Sequence, residues 1–269
     1  MATYLDRIIA SHRATAADDT RDAVGLEAAA RSAGAARGFE SALRAGDRLA
    51  VIAEVKRASP SKGPLNPGLD PAAIARAYER GGATALSVLT DTDFFEGSEG
   101  DLRSARDATL LPVLRKDFTV SAHDVLDARV MGADAILLIV AALSDTELAE
   151  FLGLARSLGM DALVEVHDEA EASRALSAGA TLVGVNQRDL FTFEVDTGRA
   201  SRVGASLPRE ICRVAESGIR GRDDVARLAD AGFDAVLVGE SLVRSADPAA
   251  AVADLAGVAR TAAGAARSR

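Results

Sequence analysis

Short apolar runs recur along the chain, and each is followed by polar residues and then by a segment with helical patterning. The runs are almost continuously apolar and do not alternate with polar positions, which is typical of parallel strands that are covered on both faces. The pattern predicts eight strands, at Leu49–Val55, Thr84–Leu89, Leu111–Leu114, Ala135–Val140, Ala162–Val166, Leu182–Val185, Ile211–Ala215 and Ala235–Val238.

The segments between these runs carry signals that start and stop helices. Asp70 precedes a proline in a first-turn position, and Ser144 with Glu147 has the spacing of a capping box, as does Asp168 with Glu171. Glycines stand where each helix would turn towards the next strand, at Gly82, Gly132, Gly159, Gly179 and Gly232. Eight strand–helix units predict an α/β fold, a (β/α)8 TIM barrel, because an open doubly wound sheet has about five or six strands and a glycine-rich first turn.

Residues 1–46 precede the first predicted strand and are too short to form a domain of their own. Helical patterning covers Tyr4–Ala17 and Val24–Arg37. We expect this segment to be a helical extension that packs on the barrel, over one mouth. The run after Ala249 is predicted to be the last barrel helix, so that residues 1–269 form a single barrel domain.

Composition and charge narrow the class of protein. The 269 residues are enough for one TIM barrel, which typically has about 250 residues. Hydrophobic residues make up 48% of the chain, which is enough to form a large core. The net charge of −9 argues against nonspecific nucleic-acid binding, which requires a basic surface. No apolar run reaches the roughly 18 residues of a membrane span, and the N-terminus lacks the apolar stretch of a signal peptide. We expect a cytoplasmic protein, a monomer or homodimer, with no membrane or nucleic-acid partner.

Neither a metal nor a cofactor is expected from the sequence. His12, His123 and His167 lie far apart without ligand spacing, and Cys212 is a lone cysteine inside an apolar run, so neither a structural zinc site nor a disulfide framework is predicted. No glycine-rich dinucleotide motif and no P-loop is present.

Charged residues stand at the ends of several predicted strands, where TIM-barrel chemistry takes place. Glu54 and Lys56 end the first predicted strand and are two positions apart, so their side chains share a face. A buried pair of this kind is weak evidence for stability, because desolvation can cancel the attraction. We therefore favour a functional pair at the barrel mouth over a pair that only fixes the strand.

The third and fifth predicted strands add a lysine and a glutamate. Lys116 follows the third run and points away from the face that Arg115 and Asp117 share, with a solvated turn as the alternative interpretation. Glu165 lies between two valines of the fifth run, where burial is expected to raise its pKa. A carboxyl group in this environment is a candidate general acid or base, and an ion-paired core glutamate is the alternative.

Two glycine-containing turns follow the seventh and eighth predicted strands. Ser217-Gly218 and Gly239-Glu240 each join a strand to the following helix. Glycine lets backbone N–H groups approach a phosphate closely, and the loops after these two strands form the recurrent phosphate site of the TIM barrel. The paired turns therefore predict an anionic substrate.

Lysine usage is restricted in an unusual way. Of the 31 basic residues, Lys56, Lys62 and Lys116 are lysines and the others are arginines. An arginine does not lose its proton in a protein, whereas a lysine can be tuned to donate or accept one. The three lysines, which lie at strand ends or in the loop after strand one, are therefore candidates for proton transfer, covalent chemistry or tight anion contact.

Eight strings, each at a predicted strand end, together resemble indole-3-glycerol phosphate synthase, the tryptophan-pathway enzyme. They cover most of the chain from Leu49 to Arg244 and read, in order, IAEVKRASPSKG, LSVLTDTDFFEGS, LPVLRKDF, AILLIV, LVEVHDEAE, VGVNQRDL, VAESGI and VLVGESLVR. The resemblance implies the substrate 1-(2-carboxyphenylamino)-1-deoxyribulose 5-phosphate. That compound would be decarboxylated, closed and dehydrated to indole-3-glycerol phosphate without redox change.

The resemblance also implies roles for individual residues. Lys116 would be the general acid that activates the ketone carbon, and Glu165 the partner acid or base, assisted by Glu54, Lys56 and Asn186. The other implied site residues are the substrate-contacting Arg188, Glu216 and Ser217, the phosphate-binding Ser59, Gly218, Gly239 and Glu240, and the apolar wall of Phe95, Phe118, Leu137 and Leu190.

One position departs from many members of the family. Gln187 stands where a second asparagine is common, but strand alternation turns it away from Asn186 and Arg188. The segment before the first strand matches the family only loosely.

Three other functions remain open at this stage. A Schiff-base aldolase on the same fold would use Lys56 or Lys116 as its nucleophile. Phosphoribosylanthranilate isomerase, a pathway relative, needs one acid and one base but not the full set of two lysines and two glutamates. A non-catalytic binding protein gives no reason for charged residues at so many strand ends.

Overall fold

A computed structural model of the protein describes residues 3–60, 62–189 and 192–260. The barrel strands are β1 (Ala50–Val55), β4 (Ala85–Leu89), β5 (Val113–Lys116), β6 (Ala135–Ile139), β7 (Asp161–Val166), β8 (Leu182–Asn186), β9 (Cys212–Glu216) and β10 (Ala235–Val238). These eight parallel strands close into a barrel in the order β1-β10-β9-β8-β7-β6-β5-β4, and β1 also pairs with β4. The predicted TIM barrel is therefore confirmed. A short antiparallel pair, β2 (Ala58–Ser59) and β3 (Gly63–Pro64), lies in the loop after β1.

Each predicted strand overlaps one observed strand, but three strands end later than predicted. Lys116, Asn186 and Glu216 are the last residues of β5, β8 and β9. The prediction Leu111–Leu114 is wrong at its start as well, because Pro112 has no N–H group to donate to a ladder. The strand begins after it, at Val113.

Helices surround the barrel, and their starts follow the predicted caps. Asp70 accepts hydrogen bonds from the first turn of α4, and Ser144 and Glu147 form a reciprocal capping box on α7. The helices are α1 (Tyr4–Ala17), α2 (Ala23–Ser32), α3 (Phe39–Arg44), α4 (Pro71–Arg80), α5 (Glu99–Asp107), α6 (Ala122–Met131), α7 (Asp145–Ser157), α8 (Glu169–Ser177), α9 (Arg199–Ser206), α10 (Arg222–Asp230), α11 (Glu240–Val243) and α12 (Pro248–Ala256), with a 3-10 turn at Val140–Ala142. No helix among residues 3–60, 62–189 and 192–260 is long and apolar enough to cross a membrane.

The predicted capping box at Asp168 and Glu171 forms only in part. Asp168 accepts a hydrogen bond from the backbone N–H of Glu171 at 2.8 Å. The Glu171 carboxylate does not return to Asp168, as a capping box requires. It accepts from the backbone N–H of His167 at 2.7 Å and lies against the imidazole ring of the same residue.

The N-terminal segment has three helices where the sequence predicts two. The first, α1, has the predicted bounds, but the helix predicted at Val24–Arg37 ends at Ser32. Arg37 leaves the helical path because its backbone N–H donates to Asp134 and its guanidinium donates to backbone carbonyls before β5. The chain then forms α3.

Two apolar layers hold the barrel. One lies between the strands and the surrounding helices, and the other fills the barrel interior. Phe39 and Leu43 of α3 are fully buried in the interior layer with residues that begin strands, such as Ala50 and Cys212. The helix α3 therefore covers the N-terminal mouth of the barrel and leaves the C-terminal mouth for the site.

Candidate active site

A cavity of about 720 Å³ opens at the C-terminal ends of the barrel strands. It is lined by every site residue that the sequence predicts apart from Leu190, which lies outside the described residues. These are Glu54, Lys56, Ser59, Phe95, Lys116, Phe118, Leu137, Glu165, Asn186, Arg188, Glu216, Ser217, Gly218, Gly239 and Glu240. Residues from all eight strands or their following loops thus meet in one space.

The first charged pair of the cavity comes from β1. Nζ of Lys56 lies 2.5 Å from Oε1 of Glu54, so the two side chains share a face as predicted. The backbone at Gly239 runs directly past this pair, since a Cβ atom there would collide with the Glu54 carboxylate. A glycine at that turn is therefore required by the ion pair beneath it.

The second charged group joins β5, β7 and β9. Nζ of Lys116 lies 3.5 Å from Oε2 of Glu165 and 3.7 Å from Oε2 of Glu216. The Asn186 amide donates a hydrogen bond of 3.1 Å to Oε1 of Glu165. Both glutamates are at most 2% exposed, so the charges of this group interact with little screening by water.

The neighbours of Lys116 point away from this group, as predicted. The Arg115 guanidinium donates to the Asp117 carboxylate at 3.0 Å and to a backbone carbonyl of α6. Gln187 likewise points away from the cavity that Asn186 and Arg188 line, and its amide donates to the carbonyl of Ser217.

The charge balance around Lys116 decides which glutamate holds a proton. Its ammonium group has two carboxylates beside it, those of Glu165 and Glu216, so one of the two is in excess. Burial and the nearby charge of Glu165 raise the pKa of Glu216 to about 8. The Oε1 atom of Glu216 is buried and has no hydrogen-bond partner among the described residues, which is the environment that favours a neutral carboxyl group.

The expectation of a raised pKa for Glu165 is wrong. Burial does raise it, but Lys116, His167 and the hydrogen bond from Asn186 together outweigh burial and hold the pKa of Glu165 below its ordinary value. Burial lowers the pKa of Lys116, but Glu165, Glu216 and Glu54 outweigh burial and hold this pKa well above its usual range. The resting site thus contains an ammonium group at Lys116 and a carboxylate at Glu165.

The two glycine turns also line the cavity. Ser217 and Gly218 both have positive φ angles, 66° and 72°. This conformation favours glycine and is uncommon for serine, so the turn after β9 is constrained in shape. Ser59 also lines the cavity, as does Lys62, which the lysine usage singled out. Two further cations there, Arg220 and Arg244, were not predicted from the sequence.

An apolar wall completes the cavity. The rings of Phe95 and Phe118 have centroids 6.2 Å apart, and Leu137 lies nearby on β6. The helix α1 contributes Tyr4, Leu5 and Ile8 to the same cavity, so α1 covers the C-terminal mouth while α3 covers the N-terminal one.

A hydrogen-bonded group ties α1 to this wall. Nε2 of His12 lies 2.8 Å from Oδ2 of Asp91, whose other oxygen accepts from the backbone N–H of Phe95. His12, Asp91 and Asp117 offer potential metal-ligand atoms within 4.8 Å of one another. Their atoms are engaged in hydrogen bonds, with Asp117 accepting from Thr90 and Arg115. The group therefore serves here to anchor α1.

Comparison with known proteins agrees with the site. The sequence profile that describes indole-3-glycerol phosphate synthase matches residues 5–255. The chain belongs to the indole-3-glycerol phosphate synthase family. Members of this family are carboxy-lyases of tryptophan biosynthesis that act on a small phosphate-containing substrate.

Individual members of the indole-3-glycerol phosphate synthase family align along nearly their full length. The protein of Mycobacteroides abscessus is 53% identical over 255 residues, which cover 94% of this chain and 93% of that protein. The protein of Mycobacterium ulcerans is also 53% identical, over 258 residues and 94% of both chains.

Solved structures of more distant proteins share the fold alone. Thiamine phosphate pyrophosphorylase from Pyrococcus furiosus superposes with a TM-score of 0.60 at 18% identity, over 79% of this chain and 95% of that one. N-acetylmannosamine-6-phosphate 2-epimerase from Clostridium perfringens has a TM-score of 0.58 at 15% identity, over 72% and 88%.

Two contributors to this indole-3-glycerol phosphate synthase site were missed from the sequence. Gly184 on β8 leaves the space for the Glu216 side chain, since a Cβ atom at 184 would collide with Oε1 of Glu216. Its signal was a lone glycine inside the strand VGVN, which marks the close approach of another group. His167 lies next to Glu165, with its Nε2 atom 3.6 Å from Oε1 of the glutamate. Its position two residues after Glu165 could have indicated this proximity, because alternate residues of a strand share a face.

Proposed function

We propose that the cavity converts 1-(2-carboxyphenylamino)-1-deoxyribulose 5-phosphate to indole-3-glycerol phosphate, carbon dioxide and water. The observation that carries the proposal is the placement of Lys116 between Glu165 and Glu216 in a cavity with two kinds of lining. Its apolar and aromatic side chains suit the phenyl ring. Its glycine turns and cations suit the phosphate.

Ring closure needs a proton donor at the ketone oxygen. The ring carbon that bears the carboxyl group attacks the ketone carbon, and the electron pair of the C=O bond moves to oxygen. Lys116, an ammonium group in the resting site, donates the proton that turns this oxygen into a hydroxyl group. The carboxylate then leaves as carbon dioxide, and its electron pair restores the aromatic ring.

Dehydration needs an acid and a base. The hydroxyl group leaves as water once it receives a proton, for which the neutral carboxyl group of Glu216 is assigned as donor. A base removes a proton from the neighbouring carbon, and the electron pair of that C–H bond forms the carbon–carbon double bond of the five-membered ring. Glu165 is ionised in the resting site and is assigned as this base. Asn186 assists by donating a hydrogen bond to the Glu165 carboxylate. The Glu54–Lys56 ion pair is assigned to holding the substrate.

The phosphate is assigned to the turns at Gly218 and Gly239, with Ser59 and Glu240 beside them. Arg188 and Ser217 are assigned to the sugar and carboxylate of the substrate, and Phe95 and Phe118 to its phenyl ring. No step in this scheme changes oxidation state, so no redox cofactor is needed. We assign the reaction to the cytoplasm, where thiols stay reduced, because Cys212 is a free and buried cysteine.

The Schiff-base alternative is disfavoured by the charge of Lys116. An amine must lose its proton to attack a carbonyl group, and catalytic lysines of this kind have a lowered pKa. The pKa of Lys116 is raised.

The direct test is to incubate the pure protein with the carboxyphenylamino-deoxyribulose phosphate and to follow indole absorbance and carbon dioxide release. Both should appear in equal amounts. Substrate trapped on a lysine by borohydride would indicate the aldolase chemistry, and turnover of phosphoribosylanthranilate alone would indicate the isomerase. Either result without indole formation would contradict the proposal.

A further inference from the structure

His167 lies directly behind the Glu165 carboxylate. It follows β7 and is two positions after Glu165, so both side chains point to the same side. Its Nε2 atom is 3.6 Å from Oε1 of Glu165. That nitrogen is buried and makes no hydrogen bond to the described residues. A buried polar atom without a partner costs free energy, so its orientation towards Glu165 calls for an explanation.

The other side of the ring is held by Glu171. Nδ1 of His167 lies 3.1 Å from Oε2 of Glu171, and the same oxygen accepts the backbone N–H of His167 at 2.7 Å. Glu171 is itself fixed in the first turn of α8, where its N–H donates to Asp168. The ring is therefore clamped in one orientation between two carboxylates.

This arrangement selects the charged form of the ring. A neutral imidazole carries one N–H and one lone pair. Either neutral tautomer would direct the lone pair at one of the two carboxylates, whereas imidazolium presents an N–H to both. Burial lowers the pKa of His167, and the charge of Arg199 also lowers it. The Glu171 and Glu165 carboxylates outweigh both and raise the pKa above its ordinary value.

We propose that His167 is a positioning residue: its imidazolium ring, clamped by Glu171, holds the Glu165 carboxylate ionised and correctly oriented to act as the base. The proposal rests on the proposed function, in which Glu165 removes a proton. Glu165 has Lys116 and Asn186 on its cavity side and His167 behind it. Without His167, one positive charge is lost and the carboxylate competes less well with Glu216 for the ionised state.

The test is the pH dependence of turnover in His167→Gln. Turnover requires ionised Glu165, so activity is lost on the acidic side as Glu165 takes up a proton. Removing a positive charge raises the pKa of Glu165, so the acidic limb of the kcat profile should move upward by about one on the pH scale. The KM should change little, because His167 does not line the cavity.

Two further variants separate this effect from a general disturbance. Glu171→Gln leaves the ring in place but weakens its preference for the charged form, so the limb should move in the same direction by less. His123→Gln removes the histidine of a comparable pair, with Asp19 at 2.8 Å, and should leave the limb unchanged. The sequence has 3 histidines, so the His167 ring can be assigned by NMR from these variants and should be charged at pH 7.

The outcomes distinguish a failure of the proposed function from a failure of the role of His167. A native protein that forms no indole product would sink the proposed function itself. A native protein that is active, with a His167→Gln profile that superposes on it, would overturn the role of His167 alone. A neutral His167 ring at pH 7 in the NMR titration would overturn it as well, even if the variant failed to fold.

Discussion

Nζ of Lys116, on β5, lies 3.5 Å from Oε2 of Glu165, on β7, so the two side chains meet across the strand that separates them. This contact keeps Lys116 protonated and Glu165 ionised in the absence of substrate. An acid and a base thus stand side by side before the reaction begins, each in the form that it needs.

Glu165→Gln should abolish most of the activity. The amide keeps the shape of the side chain and its contact with Asn186, but it cannot accept a proton. We expect kcat to fall by roughly 10²–10⁴, the usual contribution of a general acid or base. Glu99→Gln is the matched control, since Glu99 forms an exposed pair with Arg103 outside the cavity. Near-native turnover of Glu165→Gln would reduce Glu165 to a structural role.

Glu216→Gln should stabilise the protein at alkaline pH. The pKa of Glu216 is about 8 in the folded state and 4.5 ordinarily, so the folded state holds this proton more tightly. The free energy of unfolding of the native protein therefore decreases as the pH rises from 4.5 towards 8. The glutamine variant lacks this dependence, and at pH 9 its free energy of unfolding should exceed that of the native protein by at least about 1 kcal/mol. Urea titrations at pH 5 and 9 measure the difference, and equal pH dependence in both proteins would show that Glu216 is not protonated in the fold.

Gly218→Val should weaken substrate binding. The backbone at Gly218 has φ 72°, and an added Cβ atom would lie 2.5 Å from Cγ1 of Val195. Loss of hydrogen bonds to a charged phosphate costs about 1.5–3 kcal/mol, so KM should rise by about 10- to 100-fold. Gly159→Val is the control, because Gly159 also has a positive φ, 74°, but has no neighbour within 4 Å. Native KM in Gly218→Val, or a sulfate-soaked crystal with no anion at either turn, would count against the phosphate assignment.

His12→Ala should loosen the cover of the cavity. Burial lowers the pKa of His12, but the Asp91 and Asp117 carboxylates prevail and raise it above 6.5. The ion pair is therefore fully present below that pH and is lost as the pH rises through the folded pKa. We expect the free energy of unfolding to fall by about 1 kcal/mol at pH 6 and by less at pH 9, and KM to rise because Leu5 and Ile8 of α1 line the cavity. His123→Ala, which breaks a pair remote from the cavity, should leave KM unchanged; equal KM effects in both variants would refute the special position of His12.

The sequence predicts the barrel and the place of the site for a simple physical reason. Apolar runs covered on both faces mark the strands, and a charge at the end of such a run lies near the C-terminal mouth, where strand alternation decides whether it faces inward. Lys116 and Glu54 could be found in this way because each depends only on its own strand.

Properties that depend on distances between strands could not be predicted. The pKa of Glu165 depends on Lys116 and His167 as well as on its own burial. The flanking valines alone predict a raised pKa, whereas the pKa of Glu165 is lowered. The helix α3 was missed because its register is set by Asp134 and Asp161, which are distant in sequence. The role of Gly184 depends on a glutamate from the neighbouring strand.

The central claim is that Lys116 donates a proton, and Lys116→Arg tests it most directly. Arginine keeps the positive charge for Glu165 and for an anionic substrate, but it does not release a proton in a protein. The loss should therefore fall on kcat, with KM nearly unchanged. Lys62→Arg is the matched control, since Lys62 lines the same cavity without an assigned role in proton transfer.

The decisive measurement is kcat for Lys116→Arg on the carboxyphenylamino-deoxyribulose phosphate, beside the native protein and Lys62→Arg. We expect Lys116→Arg to retain less than about a hundredth of native kcat, while Lys62→Arg retains most of it. If Lys116→Arg retains more than about a tenth of native kcat, its loss of activity is smaller than the smallest usual effect of removing a general acid. That result would contradict proton donation by Lys116.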